Sequence, residues 1–108
     1  MKKQTFKVIH FSGLEDRSGY IFNAENRQFA LHINENENRI IITDLATGSK
    51  VLTALHNDLL KPSTANLIEF AKSYVQTITP EQWNEATERI KDIFPHIDFP
   101  VNSNFRIR

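Results

Sequence analysis

A chain of 108 residues with 13 Lys+Arg against 13 Asp+Glu has room for one hydrophobic core, because a globule of this length buries roughly 65% of its unfolded surface. The balance holds in both halves, eight basic against seven acidic residues through Lys61 and five against six beyond it, so no whole-domain field draws the chain to a polyanion. The absence of cysteine removes disulfides and thiolate metal sites, and nothing in the fold then depends on an oxidising compartment. Met1 to Lys7 alternates instead of leading into an apolar run, and no later stretch reaches membrane-spanning length. The expectation is one cytoplasmic domain over residues 1–108, without leader or anchor.

Hydrophobic period divides the chain at Lys61-Pro62-Ser63, being two before it and about three and a half after it. Gln4 to Phe11 reads as a strand, with Phe6 and Val8 on one face and Ile9 and Phe11 on the other. Ser12 to Gly19, with two glycines among polar residues, reads as a loop. Tyr20 to Asn23 resumes as a short strand, and Phe29, Leu31 and Ile33 mark a third. Arg39 to Thr43 holds three successive isoleucines, the composition of a central strand covered on both faces. Ala46 to Ser49 turns the chain into a fifth strand, Lys50 to Leu55, with Gly48 supplying a positive φ. Connections this short specify antiparallel neighbours in a meander. Asn57 to Lys61 is the exit, with a helical turn around Leu59 and Leu60.

Ser63 or Thr64 caps a helix running to about Ile78, whose apolar arc is Leu67, Ile68, Phe70, Ala71, Tyr74, Val75 and Ile78. Thr79-Pro80-Glu81-Gln82 carries three agreeing start signals: an N-cap, a proline at the first helical position and a capping-box glutamine. Trp83, Ala86, Ile90, Ile93 and Phe94 form the stripe of this second helix, and Pro95 ends it. Trp83 is read as core packing rather than a partner anchor, and Ile90 as core with it. The fold class that follows is α+β, an antiparallel meander of about five strands followed by two helices packed on one face. The remaining segment to Arg108 is too apolar for a disordered tail and is expected to run extended over the surface.

Chemical motifs are weak. The four histidines, His10, His32, His56 and His96, lack metal-ligand spacing, although His10 and His32 lie on strands that could meet. No metal and no cofactor are expected. Asp44 and Asp58 are read as local backbone acceptors. No phosphate-loop or nucleophile-elbow pattern occurs. The leading expectation is a non-catalytic interaction domain for another protein or a second copy of itself. Its contact surface is the sheet edge with the C-terminal strand-like segment, namely Lys3, Lys7, Phe105, Arg106, Ile107 and Arg108. The alternative is a small enzyme or small-ligand binder using a cleft beside residues 12–19, with Glu15, Asp16 and Arg17 as candidate contacts. A third, nucleic-acid binding through Lys2, Lys3, Lys7, Arg106 and Arg108, requires the termini to lie together and is disfavoured by the charge balance.

Overall fold

The computed structural model describes residues 2–34, 36–55, 63–103 and 105. Five strands precede two helices: β1 (Gln4–His10), β2 (Gly13–Ala24), β3 (Arg27–Asn34), β4 (Arg39–Asp44), β5 (Ser49–Leu55), α1 (Thr64–Val75) and α2 (Pro80–Ile93). The strands form one antiparallel sheet in chain order, the arrangement that short connections enforce. The exit Asn57 to Lys61, with its neighbours His56 and Pro62, lies outside the described residues, as do Arg106, Ile107 and Arg108.

Of residues 12–19, expected as a loop, Gly13 to Gly19 are strand and only Ser12 belongs to a turn. β2 is a 12-residue strand whose first half pairs with β1, from His10 opposite Gly13 to Gln4 opposite Gly19. Its polar character belongs to a ribbon whose outer side faces water, where opposite charges face each other across the ladder: Lys7 is directly opposite Asp16 and pairs with it at 2.8 Å. Phe11 and Ser12 form the turn, with Gly13 at φ 125°. Phe11, expected on the strand, is therefore the exposed hairpin tip.

At Tyr20 the strand changes partner and pairs with β3, from Tyr20 opposite Leu31 to Ala24 opposite Arg27. The residue at the change is Gly19, where any Cβ would collide with the Leu31 carbonyl and with Cβ of His32. A close approach of this kind accepts only glycine. The ribbon consequently turns back over one face of β3, β4 and β5. Phe6, Val8, Ile21, Ala30 and Leu45 close a core beneath it, and the Phe6 ring stands 5.7 Å from that of His32.

The free edge of β1 is closed within the chain. Ile9 N–H donates to the Gly48 carbonyl at 2.9 Å, and Gly48, at φ 70°, presents bare backbone to Lys7 and Ile9. Beside it the Asn102 carboxamide accepts from Lys7 N–H at 2.7 Å and donates to the carbonyls of Lys7 at 3.0 Å and Leu45 at 2.8 Å. The sheet thus curls until its first strand meets the turn before its last, which covers an edge that would otherwise template another strand.

The helices cover the other face. Ser63 caps α1 by accepting from Asn66 N–H. Leu67, Ile68, Ala71 and Val75 pack with Trp83 on Phe22, Phe29, Leu31, Ile40 and Ile42. Phe70, expected within this buried arc, is 48% exposed. α1 ends at Val75 rather than near Ile78, because Pro80 holds Thr79 extended (ψ 157°) and the preceding residues tighten into a turn. The capping box of Thr79 and Gln82 is present in both directions. α2 rests on the sheet by its first turn: Trp83 is buried, Ile90 and Phe94 are half-buried, and Ala86 and Ile93 face outward. Trp83 belongs to the core as expected, whereas Ile90 only borders it.

Two cores, one on each face, make distinct demands on stability. Phe6→Ala is expected to cost about 3–5 kcal/mol, the range for a buried phenylalanine, and Ile93→Ala to stay within about 0.5 kcal/mol. Chemical denaturation measures both. A Phe6→Ala loss as small as that of Ile93→Ala would mean that β1 does not close a core.

Candidate functional site

The curl encloses a concave basin of about 200 Å³ between the ribbon and the sheet, lined among others by His10, Arg17, His32, Thr43, Lys50 and Thr53. Ladder register explains the floor. His32, Ile41 and Thr53 form one cross-strand row, and Thr43 with Lys50 forms the next. Lys50 and Thr53 are three apart, so in a regular strand they would face opposite ways. The register shift beside Ile42 and Thr43 inserts Val51 as an extra residue, which returns Lys50 to the basin side and leaves Val51 and Leu52 together against the helix-side core.

The ribbon supplies the wall. Arg17 is held at the mouth by three contacts: to Glu15 at 2.8 Å, to the Asp16 carbonyl at 2.9 Å and to His10 Nε2 at 3.4 Å. Glu15 also approaches His10 at 3.6 Å. Glu37, on the rim, stands 3.8 Å from Arg39. Lys50 has no ion pair among the described residues.

Two polar groups on the floor lack hydrogen-bond partners among the described residues, His32 Nδ1 and the hydroxyl of fully buried Thr43. Burial and then the positive charges of Arg17 and Lys50 lower the His32 pKa from 6.5 to about 4. The imidazole is accordingly neutral at pH 7.

Of the residues expected beside a cleft at 12–19, Arg17 lines the basin, Glu15 orients Arg17, and Asp16 points to Lys7 on the exposed side. His10 and His32 meet in the same basin although β1 and β3 are not ladder neighbours, and no group of three or more metal-ligating residues occurs among the described residues. His32, Thr43 and Lys50 were not legible as a set, since the register shift that gathers them has only the doubled apolar pair Val51-Leu52 as a sequence signal. Lys7 and Phe105 serve contacts within the chain. The Gln28 carboxamide donates to the Phe105 carbonyl and accepts from its N–H, both at 2.8 Å, and the Phe105 ring packs on the core beneath the ribbon. Lys3 lies 6.0 Å from the Tyr20 ring.

No helix among the described residues is long and apolar enough to cross a membrane. The chain matches no protein-family model, no curated protein and no solved structure with which it was compared.

The lowered His32 pKa fixes a pH dependence. The unfolded chain takes up a proton near pH 6.5, while the folded protein resists it down to about 4. Stability is therefore whole above pH 6.5, falls as pH drops through that window, and loses nothing further from this group below it. Thermal melting should show a larger drop between pH 7 and pH 4 for the native protein than for His32→Gln. Parallel pH profiles would contradict the buried, charge-depressed imidazole.

Proposed function

We propose that this domain is a small-ligand binder whose basin receives a compact anionic group, a carboxylate or a phosphate. The observation that supports it is the convergence of Arg17 and Lys50 on a cavity whose floor carries unpartnered polar groups on His32 and Thr43. Arg17 offers a planar fork of N–H donors, already oriented by Glu15 and His10. Lys50 offers a charge that has no ion pair among the described residues. The Thr43 hydroxyl, and the His32 imidazole in the tautomer that carries its proton on Nδ1, donate from below. Glu15 and Glu37 oppose a large or highly charged anion, which restricts the ligand to a small one.

Calorimetric titration with acetate and with inorganic phosphate tests the reading. Saturable binding of at least one is expected, weakened about tenfold or more by Arg17→Gln and by Lys50→Gln, the low end for a charge-assisted hydrogen bond at a partly solvated site. Because His32 stays neutral there, its protonation contributes no change in affinity between pH 6 and 8. Absence of saturable binding, or equal affinity in both variants, overturns the proposal.

A second reading, contact with another protein, is supported by a separate observation. Phe11 is 96% exposed at the ribbon tip, 6.1 Å from the ring of Phe94 and close in sequence space to exposed Ile93 through that helix end. An exposed aromatic side chain of this kind is a common element of protein interfaces.

A further inference from the structure

A second buried polar cluster lies on the helix-covered face. Asp44, directly opposite Phe29 in the ladder, is 3% exposed. Its Oδ2 accepts from Arg27 Nη2 at 2.7 Å and from the Thr47 hydroxyl at 3.0 Å. The Arg27 guanidinium stacks 4.7 Å from the centroid of the Trp83 ring, and Trp83 packs in turn on Phe29 at 5.4 Å. Three atoms of this cluster have no hydrogen-bond partner among the described residues: Asp44 Oδ1, Arg27 Nε and Trp83 Nε1. Buried polar groups are nearly always paired, so three together in one contact cluster call for an occupant.

The cavity beside them, of about 290 Å³, is lined by Asp44, Trp83, Val51, Ile78 and Ala86 among others, with Lys50 also on its wall. Its chemistry selects the occupant in three steps. The charge of Asp44 is already matched by Arg27, while an anion would face Asp44 itself; the ligand is neutral. Of the three residues, Asp44 and Trp83 belong to the cavity wall, and one unpaired acceptor with one unpaired donor requires a group that both donates and accepts. Val51, Ile78 and Ala86 require a short apolar body.

We propose that this cavity binds a small carboxamide, its N–H donating to Asp44 Oδ1 and its carbonyl oxygen accepting from Trp83 Nε1. Each of these atoms is closed to water in the free protein. Binding therefore requires a rotation of the indole and of the Asp44 carboxylate that opens both atoms to the cavity. The volume suits a free compound of a few heavy atoms better than a polypeptide segment. This site is separate from the anion basin and stands or falls independently of it.

Trp83 is the only tryptophan, so its indole N–H gives a single resonance in a nitrogen-proton correlation spectrum. Propionamide, propionate and propylammonium form an isosteric series of neutral, anionic and cationic probes. The site predicts a saturable indole shift with propionamide, half complete at roughly 1–10 mM as befits a five-atom ligand, and at least tenfold weaker responses to the two ions. Ala86→Leu, which fills the cavity from an exposed helix position, should abolish the shift. A blocked tripeptide containing glutamine separates sources: a stronger response to it than to propionamide keeps the carboxamide but assigns it to a partner's side chain. No indole response to either amide, equal responses to the ions, or a response that survives Ala86→Leu overturns the proposal. A cross-peak from the indole proton to a bound water, with no amide response, would overturn it too and assign the three atoms to that water.

Discussion

A side chain at Gly19 would have to occupy the space held by the Leu31 carbonyl and the Cβ of His32, and this exclusion governs the rest of the molecule. It lets β2 pass from one ladder to the next at a corner, so that the β1–β2 ribbon turns over the sheet instead of extending it. From the turn follow the second core around Phe6 and Leu45, the contact of Phe6 with His32, the closure of β1 on Gly48 and the basin itself. A glycine placed for close backbone approach is thereby the origin of the basin.

Carboxamide side chains complete the closure by imitating a strand. Asn102 exchanges two hydrogen bonds with the backbone of Lys7, and Gln28 does the same with Phe105. Each satisfies a backbone N–H and C=O that would otherwise lie unpaired beside a core. A side chain can do this where no further strand is present because its amide carries the same donor and acceptor as a peptide unit. The C-terminal segment is in this way bound to the sheet through Val101, Asn102 and Phe105.

The element order was legible because it rests on local signals. Three successive isoleucines announced β4, Gly48 announced the last hairpin turn, and Thr79-Pro80-Glu81-Gln82 announced α2, each being a residue-level constraint that tertiary contacts did not override. The 12–19 segment was not legible, because its glycines and charges resemble a loop until Lys7 and Asp16 are seen opposite each other. Phe70 and Ile93 fit a helical stripe yet face outward: α1 turns Leu67, Ile68, Ala71 and Val75 to the sheet and leaves Phe70 outside, and α2 buries only Trp83 near its start. Of the basin, Arg17 was visible as a candidate; His32, Thr43 and Lys50 required the register shift at Val51, a long-range property of two strands. The Arg27, Asp44 and Trp83 cluster was hidden by the same logic, as a hairpin carboxylate and a helix-stripe tryptophan each have sufficient local explanations. Sites of local inconsistency, such as partnerless polar atoms inside a packed fold, are where function is to be sought.

Closure of β1 onto the β4–β5 turn is the central claim, and amide hydrogen exchange at Lys7 and Ile9 reads it directly. These N–H groups bond to Asn102 and Gly48, so the closed sheet predicts protection approaching that of the Ile41 and Ile42 amides at the sheet centre, which open only with the whole domain. Exchange of Lys7 and Ile9 at the rate of an unstructured peptide, with β4 still protected, would show an open edge strand and contradict the account.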